Sequence, residues 1–143
     1  MKIITKNLQK KIPLSPRRVR KVALKSLSFA RAAHKAGEIT ICFVNDKRIR
    51  SLNRKYLKKH CATDVIAFEL LRSPREMVAD IVVSTDAALR NARIYRTSPT
   101  YESYLYVAHG ILHLIGYDDS SRKERAVMQQ KADQIVNSCS ITC

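Results

Sequence analysis

The chain has 143 residues, 45% of them apolar, which suits one domain built around one core (residues 1–143) and is too apolar for wholesale disorder. Twenty-seven Lys and Arg against twelve Asp and Glu leave a formal net charge of +15. That exceeds what solubility needs and points to a polyanionic partner, nucleic acid ahead of an anionic membrane surface.

Residues 2 to 8 read as a first short strand. Ser15-Pro16 announces a helix, because serine caps free amides and proline suits the first helical position. Val19, Ala23, Leu27, Ala30 and His34 recur at helical spacing, with Arg17, Arg18, Arg20, Lys21, Lys25 and Arg31 outside the stripe. This predicts an amphipathic helix with a basic outer face, ended by Gly37. Residues 38 to 44 alternate as a strand with two apolar faces, which places it centrally and puts Cys42 in the core. Asn45-Asp46 caps a following helix with Ile49, Leu52 and Tyr56 on its buried side.

Val65-Ile66-Ala67-Phe68 and Asp80-Ile81-Val82-Val83-Ser84 are two further strands, with Leu70 to Val78 expected as a surface loop between them. A helix follows Ser84 and runs to about Tyr95, and Ser98-Pro99 opens another. Tyr101, Tyr104, Leu105, Ala108 and Leu112 form its stripe. Tyr101, Tyr104 and Tyr106 have rings suited to stacking nucleobases, but aromatic residues at helical spacing are more often core. Ser121-x-x-Glu124 is a capping box opening a last helix with Met128, Ala132 and Ile135 inward, followed by a loose tail from Cys139 to Cys143. The expected fold is α+β: a single small mixed sheet of about four strands covered by about five helices.

The run His109-Gly110-Ile111-Leu112-His113-Leu114-Ile115-Gly116-Tyr117-Asp118-Asp119 carries the chemistry. Histidines four apart on a helix lie on one face, so two ring nitrogens can converge on one ion. Gly116 ends the helix and turns Asp118 and Asp119 back toward the same place. Two nitrogens and an oxygen make a metal site on a helix and the turn after it. The plainer alternative is a pair of core histidines, with the aspartates capping the next helix. Zinc proteases of the His-Glu-x-x-His type need a glutamate after the first histidine as general base, and Gly110 stands there, so peptide hydrolysis by that route lacks its base. His60 and Cys61 are adjacent, which gives poor convergence. The four cysteines lack C-x-x-C spacing, no secretory apolar segment is present, and no apolar run is long enough to span a bilayer. Reduced thiols and a cytoplasmic location are expected.

This run resembles the HGxLHLxGYDH signature of the YbeY family, metal-dependent endoribonucleases of rRNA maturation. Leu52-Asn53-Arg54-Lys55-Tyr56, Thr63-Asp64-Val65-Ile66-Ala67-Phe68 and Asp80-Ile81 follow the order of that family's LNxxY, TDVLSF and GDI blocks, so the resemblance covers most of the chain. The resemblance implies a zinc-type ion, one per chain, held by His109, His113 and Asp119, with Asp119 at the position of the family's third histidine. It also implies a single-stranded RNA substrate, rRNA or ribosomal subunits as partners, and a role in ribosome quality control. Other departures are Leu57 in place of an arginine, Ala67 in place of a serine, Glu69 in place of a proline and Ala79 in place of a glycine. Arg54, Lys58 or Lys59 are the candidate phosphate contacts in place of the arginine. An aspartate ligand adds negative charge, which weakens Lewis acidity and shifts metal preference. The alternative function is a non-catalytic RNA-binding ribosome-assembly factor with a structural metal.

Overall fold

The computed structural model describes residues 1–30, 36–57 and 64–139. The elements in chain order are β1 (Lys2–Asn7), α1 (Pro16–Leu27), β2 (Ala36–Val44), α2 (Asp46–Leu57), β3 (Val65–Arg72), β4 (Glu76–Ser84), α3 (Thr85–Tyr95), α4 (Pro99–Leu114) and α5 (Arg122–Ser138). The strands form one open sheet in the order β1-β2-β4-β3. β1 and β4 both run parallel to β2, while β3 runs antiparallel to β4. This is the small mixed sheet with five helices that an α+β reading predicts.

The alternation of β2 and β4 divides the interior in two. Ile39, Ile41 and Phe43 face the same way as Ala79, Ile81 and Val83, their register partners, and pack with Val19, Val22 and Ala23 of α1 and the apolar residues of α4. On the other face, Val44, Ile66 and Val82 bury Ile49 of α2, with Leu52 and Phe68 against them. Cys42 lies on this second face and is only half buried, so it borders the smaller cluster rather than the main core.

α4 is the central helix. Twelve of its sixteen residues are buried, far beyond the stripe of a surface helix. Ser98 caps it by accepting from the Tyr101 amide at 3.0 Å. Its three tyrosines are core residues with satisfied tips, not stacking platforms: Tyr101, Tyr104 and Tyr106 are 7%, 1% and 2% exposed. The Tyr101 hydroxyl donates to Asp133 of α5 at 2.8 Å, the Tyr104 hydroxyl accepts from the Ser15 amide at the start of α1 at 3.0 Å, and the Tyr106 hydroxyl accepts from Asn91 of α3 at 2.6 Å. Each buried ring thus ties α4 to a different helix.

Two further expectations from the sequence are corrected. α1 ends at Leu27, capped by Ser28, well short of Gly37. Gly37 belongs to β2, opposite Met77, with φ of 118°, and a Cβ there would stand 2.0 Å from the Met77 carbonyl oxygen. The glycine is required by a close strand approach, not by a helix end. His34, once placed on the helix stripe, falls outside the described residues, as do Lys58, Lys59, His60, Cys61 and the last four residues.

The second correction concerns Leu70 to Val78. Most of that stretch is paired, because β3 and β4 form a hairpin turning at Ser73–Arg75, with a register shift between Glu69 and Leu71. Ser73-Pro74 misled by marking a tight turn rather than a long loop. Arg72 clamps the hairpin to α4, donating to the Leu114 carbonyl and, at 2.8 Å, to Glu69.

α4 comes close to the sheet at Gly110, where a Cβ would meet Ile81 side-chain carbons at 3.0 Å and Val65 Cγ2 at 3.1 Å. Ala substitutions at the two glycines should therefore separate by mechanism. Gly37→Ala meets backbone and an unfavourable φ, and should cost about 4 kcal/mol or more, enough to prevent folding. Gly110→Ala meets side chains that can shift, and should cost roughly 1–3 kcal/mol with the fold retained. Urea denaturation of both variants measures the difference. A pH-dependent contribution comes from Asp46 at the start of α2. Burial pushes its carboxyl up, but hydrogen bonds from Arg90 and Ser84 and the charges of Arg90 and Arg50 hold it below the ordinary 3.8. The folded value lies below the unfolded one, so the stability it lends is complete above about pH 4 and is lost as pH falls through the depressed value. Asp46→Asn should accordingly be less stable than the parent at pH 7, with the gap closing on acidification in a denaturation series.

Candidate functional site

The last turns of α4 and the chain beyond them build the site. The helix ends in a Schellman arrangement: the Gly116 amide donates to the His113 carbonyl at 3.2 Å and the Tyr117 amide to the Leu112 carbonyl at 3.0 Å. Gly116 takes the positive φ of 109° that this reversal needs. The two aspartates that follow then divide. The Asp118 carboxylate accepts from the amides of Asp119 and Ser120 at 2.7 and 3.2 Å and from the Ser120 hydroxyl at 3.0 Å, which holds its pKa below the usual range. It is spent on the turn. Asp119 keeps its carboxylate exposed, while its carbonyl accepts from Arg125 at 3.3 Å.

α5 then starts at Ser121, whose hydroxyl accepts from the Glu124 amide at 3.0 Å, as the capping box predicts. The Ser120 hydroxyl shares its one proton between the Asp118 carboxylate and the Glu124 carboxylate, 3.2 Å away, which fastens the aspartate turn to the helix start.

His109, His113 and Asp119 line one cleft of about 280 Å³, together with Asp64, Arg125 and Gln129. His109 sits at its inner side. Its Nε2 is buried and makes no hydrogen bond, and its ring stacks on Tyr106 with centroids 6.4 Å apart. Burial pushes its pKa below the ordinary imidazole value, against the opposing pull of Asp64, Asp133, the Gln129 side chain and Asp119. A neutral imidazole with an unused nitrogen is the form in which histidine binds metal. His113, one turn on, is exposed to the cleft.

Among the described residues, no group of three or more His, Cys, Asp or Glu side chains is drawn together tightly enough to hold an ion. The three predicted side chains share the cleft without converging. Their chemistry nonetheless fits a borderline divalent ion: two imidazoles, a carboxylate, and a buried ring nitrogen without a partner. Of the predicted phosphate contacts, Arg54 is exposed on α2 and does not line the cleft, and Lys58 and Lys59 lie outside the described residues.

The sequence reading missed Arg125 and Gln129. They sit four apart on α5 and flank the inward Met128, a spacing that shows they share a face. Which face looks into the cleft depends on how α5 docks, and no local pattern carries that. Asp64 was visible only as a member of a motif block.

Comparison with known proteins agrees with this architecture. The family model described as Endoribonuclease YbeY matches residues 4–140. Similar proteins named Endoribonuclease YbeY include one from Desulforamulus reducens, 35% identical over 150 residues and covering 95% of each chain. Another, from Anaeromyxobacter sp. strain Fw109-5, is 35% identical over 135 residues, 92% of this chain and 70% of the relative. The solution structure of TM1509 from Thermotoga maritima shares the fold, with a TM-score of 0.54 at 21% identity over 98% of this chain and 96% of that one. On the breadth of the family match and the length of these alignments, the chain belongs to the YbeY family.

Proposed function

We propose that this protein is a metal-dependent endoribonuclease that hydrolyses phosphodiester bonds of single-stranded RNA during rRNA maturation and ribosome quality control in the cytoplasm. The observation that carries the reading is the unpartnered, buried His109 Nε2 in a cleft shared with His113, Asp119 and Arg125. A buried polar atom left without a partner is costly and calls for a ligand or a catalytic role. The names of the relatives supply the reaction class.

His109, His113 and Asp119 would hold one zinc-type ion. Such an ion supplies Lewis-acid polarisation of a phosphoryl oxygen and lets water act as nucleophile at neutral pH. The chain's own groups do the rest. Arg125 presents a guanidinium in the cleft, suited to the charge and geometry of a phosphodiester. Asp118 keeps Asp119 in place by holding the turn in front of it. Tyr106 backs the His109 ring and fixes its plane. The charge of +15 draws the RNA backbone in, with affinity falling as salt rises.

The non-catalytic alternative, an assembly factor with a structural metal, fits less well, because His113 and Asp119 are exposed and a structural ion is normally enclosed.

Chelation should abolish cleavage of an rRNA precursor by the purified protein, and His113→Ala should lower kcat/KM by about 10²-fold or more with loss of metal. Metal analysis should separate the aspartates: Asp119→Asn loses affinity by roughly tenfold or more, while Asp118→Asn keeps its ion. Full activity of a metal-free His113→Ala variant would refute the assignment.

A further inference from the structure

A second cavity adjoins the cleft. It measures about 430 Å³, and Asp64, His109 and Gln129 line both spaces. Its own walls come from α3, α4 and α5: Asn91 and Tyr95, then Thr97 before α4, then Glu102 and Tyr106, then Asp133. The volume lies in the ~300–1,000 Å³ range of small-ligand sites, and the shared wall puts it within reach of a nucleotide flanking a bond held in the cleft.

The lining selects what can enter. Among the described residues that line it there is no Lys or Arg, but there are three acidic side chains, Asp64, Glu102 and Asp133. A phosphate would meet like charge there, whereas the donor edge of a base would meet acceptors. One polar side chain that lines this cavity and not the cleft is left unpartnered by the fold. The Thr97 hydroxyl is buried and makes no hydrogen bond, although it lies near enough to the Glu102 carboxyl to temper its ionisation. Glu102 beside it is 3% exposed, and burial raises its pKa above the ordinary carboxylate value while the neighbouring Thr97 and Tyr106 hydroxyls pull it down.

The other polar groups are fixed in place. Asp133 accepts from the Tyr101 hydroxyl and, at 3.2 Å, from Gln129, and Asn91 donates to Tyr106 at 2.6 Å. Tyr95, 66% exposed, stands at the wall with its ring free to cover a base. Fixed acceptors, an unused hydroxyl and an open ring form a recognition site rather than a packing defect.

We propose that this cavity is a base-specificity pocket that admits guanine from the nucleotide flanking the cleaved bond. Guanine alone among the RNA bases carries a ring N–H beside an exocyclic amino group, two donors that one carboxylate accepts side by side. Thr97 and Asn91 stand where the remaining edge of the base would be contacted, and Tyr95 covers its face. The pocket is thereby a specificity element of the proposed nuclease site and rests on that reading.

The test has two arms. In the first, the purified metal-loaded protein cleaves a single-stranded RNA pool randomised around the cut, and the new ends are sequenced. Guanine should be enriched at one position beside the cut. Thr97→Val and Glu102→Gln, each checked for an unchanged thermal midpoint and unchanged metal content, should reduce that enrichment by roughly tenfold, the effect of one lost hydrogen bond. In the second arm, guanosine and uridine are titrated into the protein and followed by amide chemical shifts. Guanosine should move the Asn91 and Thr97 amides and bind about tenfold more tightly than uridine, and Glu102→Gln, which leaves one acceptor where the carboxylate had two, should erase the difference.

Cleavage with no base preference, with preference for another base, or with guanine preference untouched by both variants overturns the pocket while leaving the nuclease reading intact. Selective guanosine binding without any RNA cleavage supports the pocket and removes the nuclease reading instead.

Discussion

The structure depends on keeping one helix, α4, buried on nearly every side. Burial of that kind is favourable for the apolar residues Leu105, Val107, Ile111 and Leu112, but each polar group carried inside must find a partner. The helix meets this demand at its ends and through its tyrosines. Ser98 serves the first turn, the Gly116 reversal serves the last, and the Ser103 hydroxyl turns back to the Pro99 carbonyl at 2.8 Å. Tyr101, Tyr104 and Tyr106 reach out to α5, to the entry of α1 and to α3. The exception is His109 Nε2, and it lies where the two cavities meet. In a helix otherwise fully satisfied, that exception is informative.

The electrostatics are arranged on two scales. Over the whole surface the sign is positive, and much of it is carried by exposed residues of α1 that belong to no ion pair formed among the described residues: Arg17, Arg18, Arg20, Lys21 and Lys25. Inside the recess beside His109 the sign reverses. A polyanion is attracted from a distance by the first field and is kept out of the inner cavity by the second. Neither field alone could separate a backbone from a base. Together they would orient the proposed RNA substrate with its phosphates outward, toward Arg125, and its bases inward.

Much of this was legible in the sequence. Strand alternation, the Ser-Pro helix starts at Ser15 and Ser98, the cap at Ser121 and the stop at Gly116 are local signals, and the structure shows each of them, although Glu124 turns its carboxylate to Ser120 rather than back to the Ser121 amide. What failed was whatever depended on a distant segment. Gly37 reads as a helix end because glycine commonly ends helices, and only the backbone of Met77 in a strand forty residues on reveals its other purpose. Ser73-Pro74 reads as a loop because proline interrupts strands, and the pairing on either side of it becomes visible only with both partners in view. The site divides in the same way. His109 and His113 follow from spacing on one helix. The choice of Asp119 over Asp118 for the cleft is made by three hydrogen bonds that occupy the Asp118 carboxylate. Arg125 and Gln129 enter only because α5 docks with that face inward.

Gly110 sets a limit on what this scaffold can become. In the His-Glu-x-x-His proteases the residue after the first histidine is the catalytic base, and in sequence a helix bearing two histidines four apart is one substitution away from that pattern. Here the position is pressed against Ile81 and Val65, with no room for even a methyl group unless they yield. A glutamate could be accommodated only by lifting the helix off the sheet, and His109, its immediate neighbour, would move with it. The change that supplied a base would thus displace a histidine it was meant to serve. A neighbouring enzymatic function, adjacent in sequence space, is separated from this one by the packing of its core.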